Sequence, residues 1–369
     1  MEKPLIILGG NIFACLLACR LKEVLPQIPF IICEESSTLG NHLTTFFSQK
    51  DCENSMKWLR PFISNSWSQY KINLSANVRV VSGSYHMIEP RHFHELVNSK
   101  LGDHIRLNRS MTPENALKEG SYVLDVRNFC HYKRNAYKKN FLLQLELLDQ
   151  HNLFNPVIFE MTNEMGGVFR SFSYYPLDKN KLVVNESWYS DNNSIELNQM
   201  RREICDFIYS KGWRISKIVR EESTSCDFPL SPPVLRNEGE RIISLAGLFH
   251  DTTGCCLVFA TQLIEKMMMT SFRYGEIKQV VKEFRKEIEY NRKFFRNINR
   301  QIIEGPSPHI FETIYSSSST VINRFCTGKM SYIDRSRLSL EKSGRSIGYL
   351  AGKIRGNLTT MIHDKGLPS

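Results

Sequence analysis

The chain has 369 residues, of which 41% are hydrophobic and 11% aromatic, as in a globular protein and unlike a disordered one. It contains no run of about 18 apolar residues, so we expect no transmembrane helix. The apolar N-terminal segment is interrupted by glycines and lacks a basic leader, which argues against a signal peptide. The ten cysteines form no C-x-x-C pair, which favours reduced thiols in a cytoplasmic protein.

The net charge of +10 comes entirely from the C-terminal part of the chain. From Lys266 to Ser369 there are 19 lysines and arginines against 9 aspartates and glutamates. A basic surface attracts nucleic acid or anionic lipid. Because no nucleic-acid motif accompanies these residues, we expect no nucleic-acid partner and favour contact with a membrane surface. A solvated helix face explains the charge equally well.

The N-terminus predicts a dinucleotide-binding βαβ unit. Residues 5–8 form an apolar run that ends on Gly9 and Gly10, which predicts a short buried strand. Residues 12–25 are apolar almost all round, as in a helix buried on nearly every side. A second apolar run then ends in Glu34, in the position of an acid that holds a ribose hydroxyl.

The glycine turn of this unit departs from the pattern G-x-G-x-x-G, which falls on Gly9, Asn11 and Ala14. Such a turn lets a pyrophosphate approach the backbone and the positive end of the helix. An asparagine at the second glycine places a side chain where the phosphate comes closest. The stretch therefore fits both a cofactor site and a βαβ unit without a nucleotide.

The middle of the chain predicts one more strand of this sheet and then a second sheet. Residues 121–127 form a short apolar strand that contains Asp125. Apolar segments at short spacing within 141–221 predict an antiparallel sheet on the substrate side. The periodicity of residues 197–211 predicts a helix between these strands.

Two histidines in the predicted helix at 85–100 are candidate metal ligands by residue type. His92 and His94 are two residues apart and do not share a helix face. We therefore expect no metal site there.

A second strand, glycine turn and helix follow more than 200 residues after the first. Residues 241–247 predict a strand that ends on Gly247, and residues 248–254 predict a turn. Residues 255–269 predict a long apolar helix. Two such helix starts can hold one flavin dinucleotide between them.

The second turn, with the sequence AGLFHDTTG at Ala246–Gly254, resembles the signature A-G-L-F-H-P-T-T-G of bacterial-type lycopene β-cyclases. Gly40–His42 is similar to that family's G-N-H-T-W, and Trp188–Asp191 to its Y-S-D segment. Residues 324–335 are similar to its C-terminal R-F-Y-x-G and A-D-R. The resemblance is collinear over nearly the whole chain.

The resemblance implies a flavoprotein fold with non-covalent FAD in its reduced form, for which NAD(P)H could act as reductant. The implied substrate is a lipophilic linear carotenoid or related isoprenoid. The resemblance also implies a cytoplasmic protein that binds this substrate at the surface of the inner membrane. In the implied redox-neutral reaction, a carboxylic acid protonates the terminal alkene, a neighbouring double bond attacks the cation, and proton loss leaves a β-ionone ring. This chemistry needs a carboxyl kept protonated by apolar surroundings and a site that excludes water.

Departures from the family fall at chemically important positions. The family's catalytic acid falls on Asn185, and an amide does not donate a proton usefully. The adjacent Glu186 is our candidate acid, but neighbours on a strand point to opposite faces, so it also fits a structural carboxylate. Glu160 is a second candidate. The family's H-P-T-T-G proline is Asp251, which places a negative charge beside the expected phosphate or flavin.

The sequence thus predicts an α/β protein with a Rossmann-like FAD-binding domain, a mixed or antiparallel-sheet substrate domain and a helical, basic C-terminal region. We predict a lycopene cyclase-like function. An FAD-dependent oxidoreductase or monooxygenase on the same fold and a non-catalytic lipid- or isoprenoid-binding relative are the alternatives. The predicted domains are 1–55, 85–135 and 240–270 for FAD, 56–84 and 136–239 for the substrate, and 271–369 for the C-terminal region. The predicted cofactor-binding residues are Gly9, Gly10, Glu34, Asn41, His42, Asp125, Gly247, Phe249, His250, Thr253 and Gly254.

Overall fold

The computed structural model describes residues 3–39, 44–74, 77–127, 130–161, 169–234, 239–304 and 309–338. The strands in this part of the chain are β1 (Leu5–Leu8), β2 (Phe30–Cys33), β3 (Thr45–Ser48), β4 (Asn65–Asn73), β5 (Val78–Ile88), β6 (Ile105–Arg106), β7 (Val123–Asp125), β8 (His131–Tyr132), β9 (Asn135–Leu147), β10 (Val157–Met161), β11 (Phe169–Asp178), β12 (Lys181–Ser190), β13 (Ile215–Pro229), β14 (Pro233–Val234) and β15 (Ile242–Ser244). The helices are α1 (Ile12–Val24), α2 (Met56–Leu59), α3 (Pro90–Leu101), α4 (Pro113–Glu119), α5 (Leu197–Ser210), α6 (Leu257–Met268), α7 (Tyr274–Glu304), α8 (His309–Ser316) and α9 (Ser319–Cys326).

A parallel sheet with the strand order β15-β7-β1-β2-β6 forms the first half of the molecule. All four residues of β1 are buried, as expected for a strand covered by helices on both faces. The strand order reverses beside β1, so a crevice opens at the carboxyl ends of β1 and β7. The predicted βαβ unit and its third strand, which ends in Asp125, are confirmed.

Helix α1 is buried on nearly every side because other elements surround it. Residues 12–19 are all buried, and the helix packs against α3 and α6 as well as the sheet. This explains why its sequence is apolar almost all round instead of showing one apolar stripe.

A larger sheet has the strand order β13-β9-β12-β11-β10-β4-β5-β3. Its neighbouring strands are antiparallel except β10 and β4, which are parallel. Alternate residues therefore point to two different surroundings. One face packs on α5 through Met200, Ile204 and Phe207, and the other faces a large cavity. The predicted mixed or antiparallel sheet and the helix at 197–211 are confirmed.

The C-terminal helices pack on the cavity side of the large sheet. Phe295 and Ile298 of α7, Phe311 of α8 and Phe325 of α9 share one apolar cluster with residues of the sheet. The predicted helical C-terminal region is thus confirmed for residues 274–304 and 309–326. Among the helices of the described ranges, none has the length and apolar character needed to cross a membrane.

Two strands depart from the predicted division of the chain. β3 lies in the large sheet, although residues 1–55 were assigned to the cofactor-binding domain. β5 extends to Ile88, although a helix was expected from residue 85, because pairing with β3 and β4 continues to that point. The helix begins at Pro90 instead, where the fixed φ of proline suits a first helical position.

Candidate functional site

A cavity of about 1270 Å³ connects the parallel sheet with the large sheet. It exceeds the roughly 300–1,000 Å³ of a common small-molecule pocket, so it has room for more than one drug-sized group. Its walls come from the start of α1, the turn before α6, one face of the large sheet and the C-terminal helices. The two helix starts predicted to hold a flavin therefore open into the same space.

The first glycine turn, residues 9–11, leads from β1 into α1. Gly9 has a φ of +98°, which favours glycine. A Cβ on Gly10 would lie 2.5 Å from Leu39 Cδ2, so this position also needs glycine. Gly10 N donates to Glu34 Oε2 at 2.5 Å. Glu34 thus fixes the turn, and a carboxylate has further lone pairs with which it can accept from a ribose.

The side chain of Asn11 caps α1. Its Oδ1 accepts from Ala14 N at 3.1 Å, and its Nδ2 donates to Val126 O at 2.7 Å. The amide is therefore held by the protein itself at the edge of the cavity. Ile12 and Phe13 line the cavity, and their N–H groups have no intrahelical acceptor at the start of a helix. The asparagine that departs from the glycine pattern is compatible with an anion at these N–H groups.

The second turn, residues 247–256, leads from β15 into α6, and a buried histidine organises it. His250 Nε2 lies 2.8 Å from Phe325 O, while Nδ1 accepts from Thr252 N and Thr253 N at 3.2 Å each. These bonds fit a neutral ring with its proton on Nε2. Burial lowers the pKa of His250 from 6.5 to about 4. His250 is fully buried and holds the turn without lining the cavity.

Asp251 does not place a charge beside the cavity, contrary to our expectation. Its side chain is 0% exposed and pairs with Arg292 of α7, with Nε to Oδ1 at 2.9 Å. Arg296 lies 3.4 Å from Oδ2. Burial raises the pKa of Asp251 and the two guanidinium groups oppose that rise. Two arginines of the basic C-terminal region are thus internal and fasten the second turn.

Other predicted cofactor residues divide into three groups. Phe249, Thr253 and Gly254 line the cavity. Asp125 and Gly247 do not line it, and Asp125 is paired instead with Arg127, with Oδ2 and Nη2 2.7 Å apart. The predicted residues Asn41 and His42 lie outside the described residues.

The cavity face of the large sheet carries the position of the family's acid. Asn185 lines the cavity, and its Nδ2 lies 3.4 Å from Ser173 Oγ and 3.3 Å from Ser187 Oγ. Ser187 Oγ donates to Asn140 Oδ1 at 2.8 Å. This strip of neutral polar groups contains no proton donor of useful acidity.

Glu186 lies on the opposite face of the sheet from the cavity. It is 0% exposed and is surrounded by the apolar residues that pack on α5, and neither carboxylate oxygen has a hydrogen-bond partner among the residues described. Burial raises its pKa from 4.5 to about 8, outweighing the nearby Trp188 and Arg170. A substrate in the cavity cannot reach this carboxyl, so the structure does not support Glu186 as the acid.

Glu160 is also unsuited to that role. Its Oε1 is 2.6 Å from Lys211 Nζ, and its Oε2 accepts from Asn73 and from Tyr174. It does not line the cavity. Both oxygens of this carboxyl are therefore occupied by protein donors outside the cavity.

Asp51 is a cavity carboxyl that the sequence reasoning missed. Its Oδ2 accepts from Ser48 N at 2.9 Å, and its Oδ1 accepts from Asn323 Nδ2 at 3.2 Å. Burial raises its pKa from 3.8 to about 6. The spacing Ser48-x-x-Asp51 signals a helix cap, but no local pattern shows that this cap faces a cavity.

Aromatic rings surround the part of the cavity next to the large sheet. Phe46 stacks on Tyr175 with ring centroids 3.6 Å apart, and Tyr85 stacks on Tyr175 at 6.3 Å. Tyr70 packs against Tyr85 at 5.0 Å. All four line the cavity, and such rings favour a cation at their faces.

No group of three or more histidine, cysteine, aspartate or glutamate side chains is arranged to hold a metal within the described ranges.

Comparisons with known proteins agree with this arrangement. The family model described as "Lycopene cyclase protein" matches residues 4–350. The lycopene beta-cyclase of Pantoea ananas is 25% identical over 90% of this chain and 93% of its own length, and that of Pseudescherichia vulneris is 25% identical over 94% and 95%.

Solved structures support the fold class. A geranylgeranyl bacteriochlorophyll reductase-like protein from Thermoplasma acidophilum matches with a TM-score of 0.62 at 10% identity, covering 95% of this chain and 99% of its own. A proposed FAD-containing monooxygenase from Photorhabdus luminescens matches with a TM-score of 0.52 at 12% identity, covering 83% and 100%. At these identities the likeness concerns the fold alone.

Proposed function

Because the chain belongs to the lycopene cyclase family, we propose that it cyclises an end group of a linear carotenoid or related isoprenoid without net oxidation, assisted by reduced FAD. The observation that carries the proposal is the single cavity that runs from two helix starts to a wall of aromatic rings. One end offers N–H groups for a pyrophosphate, and the other offers an apolar, cation-tolerant surface for a polyene.

The residues of the two turns fit a dinucleotide cofactor. Gly9, Gly10 and Glu34 do not line the cavity themselves but form the turn whose next residues, 11–13, do, and Thr253 and Gly254 line it at the second turn. We propose that Glu34 also accepts from a ribose of the bound cofactor. When bound in its reduced form, FAD would supply electron density beside a developing cation. NAD(P)H is the proposed source of the electrons.

The wall of the large sheet suits the substrate. The rings of Phe46, Tyr70, Tyr85 and Tyr175 offer a surface on which a polyene can lie and exclude water from its end group. The polar strip around Asn185 faces the same space. In the proposed reaction these residues orient the end group so that the neighbouring double bond is close to the cation.

We also propose peripheral binding to an anionic membrane, which would give access to a bilayer-soluble substrate. Tyr290, Tyr332 and Ile333 are 62%, 74% and 61% exposed. Arg335 lies over the Tyr290 ring at 4.1 Å. Exposed apolar side chains beside a cation are typical of interfacial binding. Flotation with anionic but not with neutral vesicles would support this surface, and equal flotation of an Ile333→Glu variant would contradict it.

The cyclase proposal is tested with purified protein to which FAD is added and from which excess FAD is removed. We expect a retained flavin spectrum and, after anaerobic reduction, conversion of lycopene into products with β-ionone rings. Omitting the flavin should abolish conversion. Retained flavin without conversion would overturn the reaction, and no retained flavin would overturn the cofactor.

A second candidate function is isoprenoid binding without chemistry, which is favoured by Asn185 at the position of the family's acid. In that case lycopene would bind in the same assay and remain linear. Substrate-dependent oxidation of NAD(P)H, with an oxidised product, would instead indicate an oxidoreductase on the same fold.

A further inference from the structure

The carboxyls that line the cavity differ in what holds them. Glu222 accepts from Thr44 N at 2.7 Å and pairs with Arg220 at 3.1 Å, and Glu221 pairs with Arg201 at 2.6 Å. The Arg201 partner lowers the pKa of Glu221, which makes it a poorer acid, and the oxygens of Glu222 are occupied by Thr44 and Arg220.

Asp51 and Asp227 have no ion-pair partner among the residues that the structure describes. Asp227 accepts from Asn135 Nδ2 at 2.7 Å and follows Cys226, which lies beside Gly254 of the second turn. It therefore belongs to the cofactor end of the cavity.

Asp51 lies where the aromatic wall meets the second turn, because it accepts from Ser48, which pairs with Tyr85, and its charge also acts on Cys255. Burial is the main cause of the raised pKa values of Tyr70 and Tyr85, and the charge of Asp51 adds to both. Asn323 of α9 reaches it from the opposite wall. An end group held against these rings would thus be near a carboxyl that forms no ion pair with any residue in the described part of the chain.

On the basis of the proposed cyclisation, we infer that Asp51 is the catalytic acid that protonates the substrate alkene, in place of the carboxyl that Asn185 lacks. The proton passes from Asp51 to the terminal alkene carbon, and a tertiary cation forms. The neighbouring double bond then closes the ring, and the ring cation returns one proton to the Asp51 carboxylate. No atom or electron is gained or lost overall.

The surroundings of Asp51 suit both the donation of its proton and the carboxylate that remains afterwards. Burial raises the pKa of its carboxyl to about 6, so a useful fraction is protonated near neutral pH. The N–H groups of Ser48 and Asn323 stabilise the carboxylate that remains when the proton leaves. The titratable groups whose pKa values respond to the charge of Asp51 are Cys52, in its own segment, and four residues of other elements. These four are Tyr70, Tyr85, Cys255 and Cys326. Burial raises the pKa of each, so they stay neutral in the relevant range.

The first test is lycopene cyclisation by Asp51→Asn, with protein reconstituted with reduced FAD. Asn can keep the bond from Ser48 N but cannot supply the proton, so we expect kcat to fall by about 10²–10⁴-fold. Asp51→Glu should recover part of the rate. Glu186→Gln is the matched control at a buried carboxyl outside the cavity, and we expect its rate to equal that of the wild type.

The second test distinguishes an Asp51 that donates the proton from an Asp51 that only caps the segment after β3. Wild-type activity should fall as the pH rises above about 6, because Asp51 loses its proton. Asn323→Ala removes a donor that lowers the pKa of Asp51, so the fall should move to higher pH. A structural Asp51 would leave that part of the pH profile unmoved.

The outcomes are distinguishable. A wild type that leaves lycopene linear overturns the proposed function and this inference together. An active wild type with an equally active Asp51→Asn variant, or with a large loss only in Asp227→Asn, overturns the inference alone. If Asp51→Asn does not fold, the shifted pH profile of Asn323→Ala decides: a shift supports the inference, and its absence overturns it.

Discussion

The two glycine turns face the same cavity but are held in different ways. The first turn is fixed by groups of its own sheet: Glu34 accepts from Gly10 N, and Asn11 bonds to Val126 O. The second turn is fixed by distant elements. Asp251 pairs with Arg292 of α7, and His250 bonds to the end of α9.

This difference shows which contacts hold each half of the candidate cofactor site in place. The first turn depends on hydrogen bonds within its own sheet, to the Glu34 carboxyl and to the Val126 carbonyl, so it should tolerate changes in the C-terminal helices. The second turn depends on two buried charges and a neutral imidazole, so it should respond to pH and to the docking of the C-terminal helices. Breaking either set of contacts should affect one turn more than the other.

The largest effect is expected for Arg292→Met. Asp251 would keep only the longer contact with Arg296, and an unpaired buried charge costs about 3–5 kcal/mol. Urea unfolding should show a loss of this size. Hydrogen exchange should speed up more in residues 247–256 than in residues 9–14.

The matched control for that variant is Lys293→Met at the next, exposed residue of α7, for which we expect a change below about 0.5 kcal/mol. Adding Asp251→Asn to Arg292→Met should recover part of the stability, because the unpaired charge is gone. Equal losses at Arg292 and Lys293 would refute the charged anchoring of the second turn.

A smaller effect is expected from acid. His250 has a pKa of about 4 in the folded chain and an ordinary value of 6.5, so between these values the unfolded chain binds a proton that the folded chain does not. Stability from this group is therefore present above pH 6.5 and is lost as the pH falls towards 4. The linkage amounts to about 2 kcal/mol between pH 7 and pH 5.

The measurement is thermal or urea unfolding of the wild type and of His250→Gln at both pH values. The variant should be less stable at pH 7 but should lose less on acidification. Parallel changes in the two proteins would show that His250 does not make the second turn acid-sensitive.

The smallest effect is expected at the first turn. Asn11→Ala removes the cap of α1 and should cost about 0.5–2 kcal/mol, whereas Asn11→Gly should cost only a few tenths. Asn11→Gly also restores the glycine pattern, so retained FAD should be equal to or greater than in the wild type. Loss of FAD from Asn11→Gly would mean that the asparagine itself holds the cofactor.

Local patterns were sufficient for much of the fold. The buried strand–helix–strand unit at residues 5–33 and the stripe of α5 depend on neighbours within one or two turns of chain, and both are present. Strand alternation also predicted that Asn185 and Glu186 would point to opposite faces, and the structure places only Asn185 in the cavity.

The rest depends on partners far away in the chain. Asp251 is paired 41 residues later, in a helix whose arginines appeared in the sequence as surface charge. Asp51 meets Asn323 across 272 residues, and its cavity exists only because β3 joins the large sheet. No short window of sequence contains these contacts, so the environment that gives each carboxyl its role could not be predicted.

The order of strands in the parallel sheet has a consequence for how the chain folds while the ribosome is synthesising it. β15 pairs with β7, yet Ile242 follows Val123 by more than 100 residues, and the strands of the large sheet are made in between. At ~5–20 residues per second, a ribosome needs roughly 6 to 24 s to pass from one strand to the other. During that interval β7 has an open edge and α1 lacks its neighbour α6. The nascent chain thus exposes a helix that is buried on nearly every side in the finished fold, which predicts dependence on chaperones and aggregation of chains that end before residue 242.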